Sequence, residues 1–142
     1  MKIIIFLSAF FLILSCGKSP LLLKKNNDTS VISGLEVHKI FKTTNQSLTL
    51  NWLSPVNSID EGHALLIVKQ QNIATDFTKD FSVILWMPTM GHGSSPIQIK
   101  KLGTGIYDLS QIYFIMDGLW HLRIQLKDGS NIIEEQIFEY YL

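Results

Sequence analysis

The sequence predicts an all-β fold, an immunoglobulin-like antiparallel β-sandwich of about seven to eight strands built from residues 34–142. Three observations lead there. Beyond residue 33 no stretch sustains an apolar period of 3.6 residues, so no amphipathic helix is expected. Short runs rich in Val, Ile, Leu and aromatic residues recur instead, most of them alternating apolar with polar side chains. Turn-forming residues separate the runs at Ser54-Pro55, Gly103-Thr104-Gly105 and Asp128-Gly129.

Residues 1–15 precede that domain and read as a lipoprotein signal peptide. Lys2 supplies a positive charge, residues 3–14 (IIIFLSAFFLIL) are uninterruptedly apolar, and Ser15 is the small residue before Cys16. An apolar run of about twelve is too short to cross the roughly 30 Å hydrocarbon core as a stable helix. Ile13-Leu14-Ser15-Cys16 is similar to a bacterial lipobox, although Leu14 is bulkier than the residue usual at its position. The only cysteine of the chain falls where that motif needs one, so Cys16 is the expected lipidation site and the bilayer the expected partner. Each buried methylene contributes about 0.8 kcal/mol, so two or three acyl chains anchor a small domain durably. An acylated Cys16 leaves no thiol for a disulfide, and the domain must rely on its core. Residues 16–33 form the expected lipid-anchored flexible tether. Lys24-Lys25-Asn26-Asn27-Asp28-Thr29-Ser30 is too polar to offset its ordering entropy, while Leu21-Leu22-Leu23 is apolar enough to sit near a bilayer surface. The expected location is the bacterial cell envelope, periplasm-facing, with inner and outer membrane left open.

The strands follow in order. Leu35, Val37 and Lys39 or Phe41 share one alternating face, then Leu48, Leu50 and Trp52 another, ended by Ser54-Pro55. Ala64–Val68 is nearly continuously apolar and suggests a strand covered on both sides. Phe81–Trp86 comes next, followed by Ile97–Lys100 and Ile106–Leu109 around the Gly103-Thr104-Gly105 turn. From Leu119 to Lys127 the alternation is clean, with Trp120, Leu122, Ile124 and Leu126 inward and His121, Arg123, Gln125 and Lys127 outward. Asp128-Gly129 is a strong hairpin signal leading into a last strand around Ile132–Tyr140. Trp52, Trp86 and Trp120 are all expected to be largely buried.

Twelve basic residues balance twelve acidic ones, which argues against nucleic acid as a partner. There is no phosphate loop, no cofactor fingerprint and no serine in a nucleophile-elbow setting, and Glu134-Glu135 do not share a strand face. Catalysis is not expected.

One segment stands apart: Trp86-Met87-Pro88-Thr89-Met90-Gly91-His92-Gly93-Ser94-Ser95-Pro96 places two thioethers and an imidazole within six residues. Thioether sulfur is a soft donor that selects Cu(I), and imidazole suits copper and zinc. Where no free thiol remains, Met and His are the soft ligands left to a copper protein. Met116, in the turn Met116-Asp117-Gly118, offers a third sulfur, and in a sandwich the two loops can lie at one end. The candidate metal ligands are therefore Met87, Met90, His92 and Met116, with copper, Cu(I) in preference, as the ligand. Taken alone, Met87 reads more readily as core, because methionine fills irregular gaps. His38, His63 and His121 are not expected to join the cluster; His63 reads as part of a solvated turn and His121 as outward-facing. The alternative is an interaction module whose loops contact another envelope protein, with the methionines as packing.

The order Trp52…Pro55, Met87-Pro88-Thr89-Met90-Gly91-His92-Gly93, Gly103-Thr104-Gly105-Ile106-Tyr107 and Phe114-Ile115-Met116-Asp117-Gly118-Leu119-Trp120 resembles the FixH/YtkA-like domains of bacterial envelope proteins. Those carry a Met-Pro-x-Met-Gly-His stretch, a Gly-x-Gly-x-Tyr strand entry and a Phe-x-Met-x-Gly-x-Trp stretch on a small β-sandwich. The resemblance spans residues 35–139. It implies copper handling, a copper-requiring envelope protein as partner, and Met87, Met90, His92 and Met116 as ligands by position. The chain departs from that pattern at Asp117, where a proline often follows the methionine, and in having a lipid anchor in place of the transmembrane helix of some members.

Overall fold

A computed structural model describes residues 37–142; the expected signal peptide, Cys16 and the expected tether lie outside them. Ten strands follow one another: β1 (Val37–Phe41), β2 (Gln46–Trp52), β3 (Gly62–Gln70), β4 (Ile73–Ala74), β5 (Asp80–Met87), β6 (His92–Gly93), β7 (Gln98–Gly103), β8 (Ile106–Ile112), β9 (Leu119–Asp128) and β10 (Asn131–Tyr141). All pairings are antiparallel. One sheet has the order β1-β2-β3-β8-β7 with β4 added against β3; the other runs β10-β9-β5-β6. The expected antiparallel sandwich is therefore the fold. The two strands beyond the expected seven to eight are the two-residue elements β4 and β6, too short to leave an alternating pattern in sequence. Among the described residues no helix is long and apolar enough to cross a membrane.

Alternation decides which side chains reach the core. Leu48 and Leu50 of β2, Ala64, Leu66 and Val68 of β3, Tyr107 and Leu109 of β8, Val83, Leu85 and Met87 of β5, and Trp120, Leu122, Ile124 and Leu126 of β9 are buried between the sheets. Three expectations need correction. Ala64–Val68 is not covered on both sides: Leu65 and Ile67 are only half-buried on the outer face. Trp86 is not a core residue. Leu85 and Met87 take the inward positions, so period-two geometry turns Trp86 outward, where the Arg123 guanidinium lies 5.5 Å from its ring centroid. Trp52 packs on the core edge, half-buried, its indole N–H donating to the Tyr140 hydroxyl at 3.0 Å. Trp120 is fully buried as expected.

The sandwich has two ends. Trp52, Gly62, Met87, Leu119 and Tyr141 mark the near end, where the chain also enters β1, since Val37 pairs with Leu50. At the far end the crossover of residues 75–79 passes from one sheet to the other and is held by Asp76. Its carboxylate accepts from the Gly105 N–H (2.9 Å) and the Tyr107 hydroxyl (3.2 Å) and pairs with Lys101 at 2.5 Å. The Gly105 hydrogen bond first, then Lys101, lowers the Asp76 pKa below its ordinary value. Phe77, next along, stacks on Phe81 with centroids 4.0 Å apart and tilts against Tyr107. Along the side, the β1 and β10 edges are laced by Glu134, which accepts from the Lys42 and Thr43 N–H groups at 2.8 and 2.9 Å, and by Gln136, which donates to the Ile40 carbonyl.

Candidate metal site at the near end

The Met/His segment folds as the tip of the β5–β6 hairpin. Trp86 pairs with Gly93 and Met87 with His92, leaving Pro88-Thr89-Met90-Gly91 as the loop. The Met87 carbonyl accepts from the N–H groups of Met90 (3.2 Å) and Gly91 (3.0 Å), and Gly91 closes the turn with φ +68°, a conformation glycine adopts without a Cβ penalty. Directly paired residues of an antiparallel ladder present their side chains on one face. Met87 and His92 therefore share the inward face, Met87 inside the core and His92 partly exposed at its margin.

The turn carrying Met116 is built against this hairpin. Gly118 has φ +133°, and a Cβ placed on it would sit 2.6 Å from the Met87 methyl carbon. That φ is one that residues with a side chain rarely adopt, and the missing Cβ leaves room for the Met87 methyl, so the thioether packs against the turn. Ser94, just after β6, donates to the Tyr113 carbonyl at 2.5 Å, a second tie between the same segments. The buried Trp120 donates its indole N–H to the Met116 carbonyl at 2.8 Å, which fixes the backbone from which the Met116 side chain emerges. Beneath lies an aromatic floor, with Phe114 edge-on to Trp120 (5.8 Å) and to Tyr140 (6.0 Å), and Trp52 edge-on to Tyr140 (5.3 Å). Burial pushes the Tyr140 hydroxyl up to about 12, so it stays a neutral partner of Trp52 at any ordinary pH.

Of the four candidate ligands, Met90 (58% exposed) and Met116 (37%) are open to solvent, His92 is intermediate, and Met87 lies in the core at 4%. His92 Nδ1 lies 3.2 Å from the Gly93 carbonyl oxygen. A carbonyl only accepts, so that contact assigns the proton to Nδ1 and leaves the Nε2 lone pair for a ligand. The remaining histidines stand elsewhere. His38 on β1 hydrogen-bonds Thr49 at 2.9 Å, and His121 lies on the outer face of the four-stranded sheet, 3.5 Å from Glu139. His63 is not part of a solvated turn: it belongs to β3, where its Nε2 pairs with Asp108 of the neighbouring β8. Among the described residues no three His, Cys, Asp or Glu side chains converge as a metal-binding group. The four candidate ligands are three thioethers and one imidazole, donor types suited to a soft monovalent ion.

A third loop completes this end. Ser58 donates to Asp117 at 2.8 Å, and Glu61 accepts from the Gln111 N–H at 2.7 Å and the Tyr113 hydroxyl at 3.0 Å, joining residues 53–61 to the Met116 loop. Sequence alone gave no packing role to Gly118, Ser94 or Glu61. Their partners lie 19 to 52 residues away, beyond any local pattern, apart from Gly118, whose place two residues before Trp120 was visible without a reason for it. No family model matches the chain, and neither a curated protein nor a solved structure was found that is similar to it.

Proposed function

We propose that this chain is an envelope lipoprotein, anchored through acylated Cys16, whose near end binds Cu(I) through Met90, His92 and Met116 above Met87 and so handles or delivers copper. The observation that carries the reading is the packing of the Met87 methyl on Gly118, which puts the Met90–His92 hairpin against the Met116 turn. Solvent access at Met90 and Met116 gives an ion a path in, and the free Nε2 of His92 adds a nitrogen donor. The Met-Pro-x-Met-Gly-His and Phe-x-Met-x-Gly-x-Trp resemblance agrees with it. Bound Cu(I) would supply a transferable soft cation; the protein supplies the donors, a fixed turn and a dry floor. No catalytic step is assigned to it.

The test is competition for Cu(I) between a colorimetric chelator and residues 17–142. Replacing Met90, His92 and Met116 together should weaken binding by about 100-fold or more, with the circular dichroism spectrum unchanged. Equal affinity in the triple variant would eliminate the site. The alternative, a metal-free interaction module for another envelope protein, is favoured by Ile59 and Ile115, which are 90% and 53% exposed on the same end. It requires a partner whose capture depends on those two isoleucines and not on copper.

A further inference from the structure

The near end combines exposed apolar side chains with unneutralised negative charge. Leu53, Ile59, Met90, Tyr113, Ile115 and Met116 are exposed on its three loops. Residues 53–61, 88–97 and 113–118 contain Asp60, Glu61 and Asp117 and neither Lys nor Arg. The carboxylates take neutral donors only: Asn57 for Asp60, the Gln111 N–H and the Tyr113 hydroxyl for Glu61, and Ser58 for Asp117. Among the described residues no cation pairs with any of the three. The far end also exposes apolar residues, Ile73, Leu102 and Ile132, but there the carboxylates Asp76, Asp80 and Asp128 stand among Lys42, Lys79, Lys101 and Lys127, with Lys101 paired to Asp76 and Lys79 to Asp128. The ends differ in charge, not in apolar character, so a ligand selecting the near end must be both apolar and cationic.

The chain carries such a segment. Leu21-Leu22-Leu23-Lys24-Lys25 is three leucines followed by two lysines, and eleven residues separate it from Val37, which enters β1 at the near end. Twelve peptide steps span about 40 Å at full extension and about 20 Å on average. A nine-residue strand such as β3 is about 30 Å long, so the near end lies within the average reach and the far end only within the stretched one.

We propose that Leu21–Lys25 docks on the near end, its leucines against Leu53, Ile59 and Ile115 and its lysines against Asp60 and Asp117. The inference rests on surface chemistry and stands whether or not metal binds.

The test places a photo-crosslinking benzoylphenylalanine at position 22 of the full acylated protein in phosphatidylethanolamine–phosphatidylglycerol vesicles. Irradiation should crosslink it to residues 53–61 or 113–118, and Lys24→Glu with Lys25→Glu should cut that yield about five-fold or more, as should high salt. Position 22 lies outside every strand, so the domain's circular dichroism serves as the folding control. Recovery of the label in lipid overturns the proposal in favour of a bilayer-bound segment. Crosslinks to residues 73–79 or 102–104, or a yield indifferent to charge reversal, overturn it as well. Loss of acylation, read by mass, would leave the near-end crosslink in place and bears only on the anchor.

Discussion

At Trp120 a single side chain closes the core and sets the site. Its ring is fully buried against Phe114, and its indole N–H holds the Met116 carbonyl, so the strand that packs the sandwich also aims one of the two exposed sulfurs. Trp120→Ala should cost about 3–5 kcal/mol, a large share of the 5–15 kcal/mol typical of a domain, and in chemical denaturation this appears as a lower midpoint with little change in slope. A midpoint near that of the wild type would show that the ring is not the core residue described here. Trp120 was legible in sequence because eight clean alternating positions fix its parity. Trp86 was not: it stands beside Met87 at the end of a mixed run, and either residue could take the inward position. Packing chose the thioether, because the Met87 methyl fits against Gly118.

Among the elements, the crossover of residues 75–79 is pinned to the larger sheet before it enters the smaller one. Asp76 ties the crossover to Gly105, Lys101 and Tyr107, and the Gln46 amide donates to the Asp76 carbonyl at 2.8 Å. With its pKa lowered, Asp76 binds its proton less readily folded than unfolded. The stability it contributes is therefore complete above the ordinary value near 3.8 and is lost as the pH falls through the lowered folded value. Asp76→Asn should lower the melting temperature at pH 7 and flatten its decline at acid pH; parallel curves for both proteins would rule this out. The hairpins at Gly103-Thr104-Gly105 and Asp128-Gly129 were legible because turn chemistry is local. The partnership of β3 with β8 was not, since Ala64 and Leu109 meet across the chain with no local signature. Nor was the irregularity there, where Gln111 adopts φ +59° and its N–H is held by Glu61. That distortion restores Ile112 and Phe114 to the core and delivers the chain to the Met116 turn.

Across the described residues the charge is arranged along the sandwich, with lysines and carboxylates paired at the far end and carboxylates without a paired cation at the near end, where the chain enters β1. An acylated Cys16 would hold the carboxylate-rimmed end nearest its own attachment point. Cys16→Ser should abolish metabolic labelling with palmitate and move the protein from the detergent phase to the aqueous phase; unchanged partitioning would refute lipidation. The compositional balance that argued against nucleic acid conceals this polarity, because it becomes visible only once the strands assign each loop to an end.

The seam at Glu134 sets an order in time. Its carboxylate grips the Lys42 and Thr43 N–H groups across 92 and 91 residues, so β1 is sealed by a segment made long after it. A chain made from its N-terminus must keep β1 waiting, its edge open to wrong partners, until β10 arrives. Distant pairings of this kind are slow to form, on the millisecond-to-second scale of other sandwiches. An N-terminus already held at a membrane would spend that interval apart from other unfinished copies, and Lys39 on β1 discourages mispairing in the meantime.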